Sequence, residues 1–288
     1  MEIIEKQVPL NFNLFNIGDQ HIGSIMSHRS GWLKMCDMVN SEYEGIKPKN
    51  NFVVDHGDMI EAISIDDPRY DMQVTTAEES QLFHQFRQAV TDRGSIKDNL
   101  ITALKGNHEH KLIRHGNITK EVCKELNVPY GTVSCVIEYW NRDRLLFKHY
   151  AHHGFGTIRS IAHPTIRRET NRKISLMQKF DSKFGDCLLN SMGHTHQLIV
   201  CQPESKLYMT TDNRKIKQKY TEPKKVTGYI EPNHRWYINT GSFLKTYGMG
   251  IDSYGERFGY DPVELGFVIV KVRDGKILPK NVERKRLD

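Results

Sequence analysis

The stretch "SMGHTHQL", Ser191 to Leu198, places two histidines one residue apart directly after a glycine. Side chains two residues apart on a β-strand point to the same face of the sheet. If this stretch ends a strand, His194 and His196 face one place, and two converging imidazoles suit a metal ion. A polar loop after a buried strand is the alternative. Further ligands elsewhere in the chain would decide between the two interpretations.

Length and composition bound the class of protein. The 288 residues are enough for one large α/β domain or two small ones. Five scattered cysteines without a CxxC pair argue against a disulfide framework and predict a reducing, cytoplasmic location. No signal peptide and no stretch as long as a membrane span is found, so we expect no membrane partner. A net charge of +6 is compatible with a polyanionic partner.

The hydrophobic pattern predicts the fold class. Strand and helix patterns alternate in the first half of the chain, and strands dominate the second half. This order predicts an α/β fold of two mixed sheets packed face to face, with helices outside. Without an internal repeat or a Gly/Ser linker, we predict a single domain, 1–288, with insertions near 62–98, 157–185 and 205–232. Specific elements predicted are helices at about 29–44, 75–90 and 164–183 and a hairpin turn at Asp274-Gly275.

Polar side chains cluster where the predicted strands end. The stretches "GDQH", "HGDM", "KGNHEH", "AHHG" and "GHTH" contribute these candidates in order: Asp19, His21, Asp58, Asn107, His108, His153, His194 and His196. Loops at the ends of α/β strands gather at one edge of a sheet and carry the site. Carboxylate, imidazole and amide ligands together suit manganese, iron or zinc better than calcium or magnesium. Seven of these groups would be enough for two ions that share one carboxylate.

These motifs, in this order, resemble those of a known family. The series "GDQH", "GDMIE", "GNHE", "HHG" and "GHTH", followed by "YINTGSF", resembles the calcineurin-like metallophosphoesterases from about residue 16 to 243. The resemblance implies a four-layer α-β-β-α sandwich with a dinuclear metal centre at the strand ends. It also implies hydrolysis of phosphate esters by a metal-activated water. Manganese is the metal expected first, with iron, zinc, nickel and cobalt as alternatives.

Residue by residue, the resemblance implies two sets of metal ligands: Asp19, His21 and His196 for the first ion, and Asn107, His153 and His194 for the second. Asp58 would bridge both ions. His108 would be a catalytic residue that contacts the leaving-group oxygen, and Glu61 would orient it. The family often has aspartate at the position of Glu61, and glutamate is one methylene longer.

The chemistry of phosphate ester hydrolysis requires the same residue types. Two cations neutralise the charge on a phosphoryl group and lower the pKa of a shared water towards about 7. The departing alkoxide then needs a proton, which His108 could supply. Among the remaining candidates, we interpret His56 as a satisfied buried histidine, His152 as packed or capping, and Glu109 as a brace for its loop.

Two basic insertions bear on the substrate. The helical stretch after His153 carries Arg168 and Arg172 on one face, and its predicted inward residues are Ile166, Ile174, Met177 and Phe180. The stretch "DNRKIKQKYTEPKK" predicts a basic hairpin with Lys215 and Lys217. These charges either form solvated faces or bind a phosphate backbone.

The expected partner is therefore a phosphoester substrate, with nucleic acid as one candidate. We predict a phosphodiesterase or nuclease that acts on nucleic acid or nucleotides. The alternative is a phosphomonoesterase acting on protein or a small metabolite. A non-catalytic binding module of the same fold is third, because such members lose ligands and every ligand position is filled here.

Overall fold

The structure, a computed structural model, describes residues 1–63, 82–222 and 228–287, without the side chain of His115. The predicted threonine start of the helix at 75–90 lies outside these residues. The α-helices in the described part of the protein are α1 (Arg29–Val39), α2 (Leu82–Gly94), α3 (Asn107–Lys111), α4 (Ile118–Leu126), α5 (Thr165–Phe180) and α6 (Tyr254–Arg257). No helix in the described part of the chain is both long and apolar enough to cross a membrane.

The strands of the described residues form two large mixed sheets and a separate two-stranded hairpin, so the fold is mixed α/β. Their bounds are β1 (Glu2–Gln7), β2 (Phe12–Ile17), β3 (Asn51–Asp55), β4 (Leu100–Ala103), β5 (Ser134–Asn141), β6 (Arg144–His152), β7 (Leu189–Met192), β8 (Leu198–Cys201), β9 (Leu207–Asp212), β10 (Lys215–Tyr220), β11 (Trp236–Thr240), β12 (Gly266–Arg273) and β13 (Lys276–Arg286).

The five-stranded sheet has the order β13-β12-β2-β3-β4. Strands β2, β3 and β4 run parallel, and β12 is antiparallel to both β2 and β13. The turn between β12 and β13 uses Asp274 and Gly275 at φ of 50° and 71°. Positive φ at both central residues is what this kind of tight hairpin requires, so the predicted turn is confirmed.

The six-stranded sheet has the order β1-β5-β6-β7-β11-β8. Strands β6, β7 and β11 are parallel neighbours, whereas β5–β6 and β8–β11 are antiparallel pairs. The first strand, β1, pairs in parallel with β5 and was not predicted. Its sequence "EIIEKQ" holds only two apolar residues, so it carries almost no hydrophobic alternation.

In the part of the chain that the structure describes, the buried apolar side chains form three clusters. One combines side chains from both large sheets, and in it Phe12 of β2 stacks on Tyr139 of β5 and Phe147 of β6 at ring centroid distances of 5.7 and 6.4 Å. A second joins α1, α2 and α4 to the five-stranded sheet, with Trp32 fully buried. The third joins α5 to the six-stranded sheet. Each large sheet therefore shares one cluster with the other sheet and one with helices.

Helix α5 shows which face the basic insertion buries. Leu176 and Phe180 are fully buried, and Met177 packs against them. The predicted inward positions Ile166 and Ile174 are wrong, since their side chains are 72% and 47% exposed. Ile174 lies six residues before Phe180, which places it about 120° away around the helix. Ile166 lies in the first turn of α5, whereas the buried residues Leu176 and Phe180 lie in its second half.

Candidate metal centre

The predicted ligands all lie beyond the ends of strands, six of them in loops and Asn107 at the start of a helix. Asp19 and His21 follow β2, Asp58 follows β3, and His153 follows β6. Asn107 begins α3 after β4, and the two histidines of "GHTH" follow β7. Because β2, β3 and β4 are parallel, and β6 and β7 are parallel, the loops of each sheet meet at one edge.

The backbone at these loops is left-handed at five of the seven predicted ligands. The φ angles lie between 50° and 68° at Asp19, His21, Asp58, His194 and His196. Non-glycine residues rarely adopt this region, and such strained positions cluster at functional sites. The prediction that a strand face aligns the paired ligands is therefore wrong, because both pairs lie beyond the strand ends. In both loops that carry a ligand pair, the residues with left-handed backbone direct their side chains towards the cluster of ligands instead.

Two glycines of the motifs are required by close approach to ligand carboxylates. A Cβ on Gly193 would lie 2.6 Å from Asp19 Oδ2. A Cβ on Gly106 would collide with the Asp58 carboxylate and its backbone N. The glycines of "GHTH" and "GNHE" thus make room for carboxylates that come from other loops.

The first group of ligands contains Asp19, His21 and His196. His196 Nε2 lies 3.3 Å from Asp19 Oδ1 and 3.3 Å from His21 Nε2. Asp19 and His21 are buried, and His196 is partly exposed. The potential ligand atoms of these three residues all lie within 4.8 Å of one another, so this group could hold a metal ion.

The second group contains Asp58, Asn107, His153 and His194. Asn107 Oδ1 lies 2.9 Å from His153 Nε2 and 2.7 Å from His194 Nδ1. Asp58 Oδ2 lies 3.4 Å from His153 Nε2. The ligand atoms of Asp58, His153 and His194 also lie within 4.8 Å of one another. One carboxylate, one amide oxygen and two imidazoles therefore converge here.

Asp58, a member of the second group, also lies close to the first group. Its Oδ2 is 4.0 Å from His21 Nε2 in the first group and 3.4 Å from His153 Nε2 in the second. Its Oδ1 accepts a hydrogen bond from the backbone N–H of His108 at 2.9 Å. The Asp58 carboxylate is thus fixed in place, with one oxygen close to both groups.

Hydrogen bonds from outside orient two of the imidazoles. His21 Nδ1–H donates to Glu61 Oε2 at 2.6 Å, and His153 Nδ1–H donates to the carbonyl of His56 at 2.7 Å. Each bond leaves Nε2 facing the cluster of ligand atoms. This pattern of an outer acceptor behind a ligating histidine is characteristic of metal sites. The donor set therefore fits divalent transition metals.

The site concentrates negative charge that attracts cations. Burial opposes the charged form of His21, but Glu61, Asp58 and Asp19 raise its pKa to about 9. Burial also opposes the charged form of His153, but Asp58 and Asp19 raise its pKa to about 10. The buried carboxylates would stabilise a metal ion by the same attraction.

Glu61 contacts both His21 and His108. Its carboxylate contacts His21, while its Oε1 is 4.0 Å from His108 Nδ1. His108 Nδ1–H instead donates to the backbone carbonyl of Glu61 at 2.5 Å. The Glu61 carboxylate therefore hydrogen-bonds His21 and stays within ion-pair distance of His108, so its contact with His108 is the longer of the two. The carbonyl still orients His108 and leaves its Nε2 for a substrate.

Glu109 braces the two loops that carry Asp58 and Asn107, as predicted. Its buried carboxylate accepts hydrogen bonds from the backbone N–H groups of Met59 at 2.6 Å, Ile60 at 3.2 Å and Gly106 at 2.9 Å. Burial and the charge of Asp58 raise the pKa of Glu109 to about 7. The carboxylate ties the backbone after β3 to the backbone after β4.

A chain of buried polar side chains lies behind the metal ligands. His56 Nδ1–H donates to the carbonyl of Ile17 at 3.0 Å, so its Nε2 accepts from Ser191 Oγ at 2.6 Å. His149 Nε2–H donates to Ser191 Oγ at 2.5 Å, and its Nδ1 accepts from Tyr139 at 3.3 Å. His56 is thus the satisfied buried histidine that was predicted. His152 Nδ1 accepts from the backbone N–H of Gly154, which confirms its capping role.

A cleft of about 560 Å³ opens onto the ligands. Of the four basic residues predicted to bind substrate, Arg172 lines this cleft, and Arg168, Lys215 and Lys217 do not. Arg168 contacts the carbonyl of Ala162, and Lys217 pairs with Asp212 across the exposed hairpin of β9 and β10. Sequence reasoning missed part of the cleft lining, namely Arg159, Lys245, Tyr254 and Tyr260. No metal-type or phosphate-type motif marks these four residues in the sequence.

Comparison with known protein families finds no match for this chain, and comparison with curated protein sequences finds none either.

Proposed function

We propose that this chain is a metal-dependent phosphoesterase that hydrolyses phosphodiesters of nucleotides or nucleic acid. One observation carries the proposal: the Asp58 carboxylate lies close to histidines of both ligand groups and lines a cleft. A carboxylate shared between two ligand groups is the arrangement that two-metal phosphoester hydrolysis needs.

The proposal includes the fold and family that the motifs resemble. The three clusters of buried apolar residues support an α-β-β-α layer order, because each sheet shares one cluster with helices and one with the other sheet. The five motifs that resemble calcineurin-like metallophosphoesterases supply the seven ligands of the two groups. Membership of that family is therefore part of the proposal.

The proposed cofactors are two divalent transition-metal ions, with manganese first and iron, zinc, nickel and cobalt as alternatives. When bound, such ions neutralise phosphoryl charge and supply a nucleophilic water at neutral pH. Asp19, His21 and His196 would hold one ion. The other would be held by Asn107, His153 and His194, with Asp58 shared between both.

The remaining residues of the site act on the substrate. His108 lines the cleft and is held through Nδ1 by the Glu61 carbonyl, so Nε2 can protonate or hydrogen-bond the leaving-group oxygen. Arg172 also lines the cleft, and its Nε is buried without a hydrogen-bond partner among the described residues. Its guanidinium would pair with a phosphate oxygen of the substrate.

The proposed location is the cytoplasm. All five cysteines are buried and unpaired. Buried free thiols behave as small apolar residues and are typical of reducing compartments.

The test is an assay of protein reconstituted with manganese, using bis-p-nitrophenyl phosphate, p-nitrophenyl phosphate, and single- and double-stranded DNA and RNA. We expect hydrolysis of the diester and of at least one nucleic acid, with loss of activity on chelation. Preference for the monoester would establish a phosphomonoesterase instead. Bound metal without hydrolysis of any of these substrates would establish a non-catalytic binding module.

A further inference from the structure

Part of the cleft has no role in the proposed metal chemistry. We name this part the aromatic wall, which comprises Arg159, Tyr254 and Tyr260. The Arg159 guanidinium lies over the Tyr260 ring at 4.9 Å from its centroid, and Tyr254 meets Tyr260 edge to face at 5.7 Å. All three residues line the same cleft as His108 and Asp58. Planar groups therefore lie in one cavity with the proposed phosphate site.

The backbone that carries the two tyrosines is held firmly. Ser253 is buried, and its hydroxyl donates to the Thr246 carbonyl at 2.6 Å while it caps α6 by accepting from the Glu256 N–H at 3.1 Å. The Tyr260 N–H donates to the Gly255 carbonyl at 2.9 Å. A Cβ on Gly255 would lie 2.8 Å from the Thr246 carbonyl oxygen, so the segments pack closely. The wall is thus preorganised rather than a chance grouping of loop side chains.

Positive side chains of the cleft favour an anionic substrate, and its planar side chains favour a substrate with a flat ring. Arg159 and Arg172 contribute positive charge, while the acidic Asp261 is 3.9 Å from Arg172 and its side chain is 73% exposed. Arginine planes and tyrosine rings both stack on nucleobases. A cavity of this volume accommodates a ligand of nucleotide size.

We propose that the aromatic wall binds the nucleobase of an unpaired nucleotide whose phosphate lies at the metal ligands. This inference rests on the proposed function, and it assigns specificity to the nucleoside side of the diester. A base inside a duplex is stacked on both faces by its neighbours, so the wall selects single-stranded or mononucleotide substrates. Tyr254 and Tyr260 are therefore specificity-determining residues.

The test compares two diesters with the same leaving group, thymidine 5′-(p-nitrophenyl phosphate) and methyl p-nitrophenyl phosphate. Only the first offers a nucleoside to the wall. We expect wild-type kcat/KM to be about 5- to 100-fold higher for the thymidine ester, as for one stacked base. Tyr260→Ala and Tyr254→Ala should each reduce this ratio, whereas Tyr260→Phe should keep it because the ring is retained.

The chain offers a matched control. Tyr229 is 65% exposed and stacks on Arg235 at 5.1 Å, but it does not line the cleft. Tyr229→Ala should leave the ratio of the two diesters unchanged. Thermal unfolding of each variant would show that it is folded, and Tyr254, at 45% exposure, is the safer of the two alanine replacements.

Binding measured by calorimetry separates this inference from the proposed function. Thymidine 5′-monophosphate should bind the manganese-loaded protein at least 5-fold more tightly than 2-deoxyribose 5-phosphate, and Tyr260→Ala should abolish the difference. Equal affinities would overturn the base site and leave sugar or phosphate as the feature recognised. Hydrolysis of both diesters at equal kcat/KM would also overturn it, while the phosphodiesterase proposal would stand. Failure to hydrolyse either diester would refute that proposal, and the calorimetric comparison would still decide the base site.

Discussion

The carboxylate of Glu61 lies 2.6 Å from His21 Nδ1, and the backbone carbonyl of the same residue lies 2.5 Å from His108 Nδ1. One residue therefore orients two histidines that have different roles in the proposed mechanism. In that mechanism the side chain would act on a metal ligand, and the main chain would act on the residue that faces the leaving group. Substitution of the Glu61 side chain should separate these two effects.

We expect Glu61→Ala to lower the affinity for manganese about 10- to 100-fold, because His21 loses its outer acceptor. The alanine keeps the carbonyl that orients His108, so kcat at saturating manganese should change little. Chelator competition gives the affinity, and Glu61→Gln should recover part of it. A large fall in kcat with unchanged metal affinity would show instead that the carboxylate serves His108.

Asp58 should be the most costly ligand to replace. Its Oδ2 lies near histidines of both groups, so Asp58→Asn should weaken both metal sites and abolish turnover. Metal analysis after gel filtration would measure the loss. His194→Ala, which removes a ligand of one group only, is the matched comparison and should retain more metal than Asp58→Asn. Two ions per chain and full activity in Asp58→Asn would exclude the bridging role.

His108 should affect the rate rather than metal content. His108→Ala should lose roughly 10²–10⁴-fold in kcat for a diester with an alkoxide leaving group, since the proton donor is removed. The loss should be smaller with p-nitrophenolate, which needs no proton. His108 also lies in a third group of potential ligands with His21 and Asp58. Loss of bound metal in His108→Ala would assign His108 to that group.

The sequence predicted which residues meet at the site, but it did not predict the backbone geometry that brings them together. The order of motifs was enough to name the residues that meet in two groups, because each motif follows an apolar strand and parallel strands end at one edge. A shared strand face does not explain the convergence of His194 and His196, because both residues have positive φ and lie beyond the end of β7. Hydrophobic periodicity indicates helices and strands, and it does not indicate which non-glycine loop residues adopt a left-handed backbone.

The long-range contacts were the part that sequence could not supply. The contact of Glu61 with His21 spans 40 residues, and the aromatic wall joins Arg159 to Tyr260. Such pairs depend on how the loops fold over the sheet edges, and no local pattern encodes them. Strand β1 is also beyond local pattern, since it is an edge strand that pairs with β5 and holds only two apolar residues.

The basic residues of the insertions should divide into two classes. Arg172 lines the cleft, so Arg172→Ala should lower kcat/KM even for bis-p-nitrophenyl phosphate. Arg168, Lys215 and Lys217 lie outside the cleft, so only a polynucleotide is long enough to reach them. If they bind its backbone, their triple alanine variant should flatten the slope of log affinity against log salt by about 2 to 3. An unchanged slope would show that these three charges form a solvated face.

The buried chain from Tyr139 through His149 and Ser191 to His56 predicts the response of stability to acid. Burial lowers the pKa of His149 well below its usual value, so His149 stays neutral in the folded protein. Below about pH 6.5 the unfolded chain binds a proton at this residue that the folded chain does not. Stability should therefore fall as pH falls, with a slope from this residue that approaches about 1.4 kcal/mol per pH unit well below pH 6.5.

His149→Gln removes that proton and can still donate to Ser191 and accept from Tyr139. We expect its free energy of unfolding in urea to decline less steeply than that of the wild type between pH 6.5 and 5.5, by about 1 kcal/mol. Parallel curves for wild type and His149→Gln would mean that His149 takes up a proton in the folded state, and that the chain of hydrogen bonds rearranges to accept it.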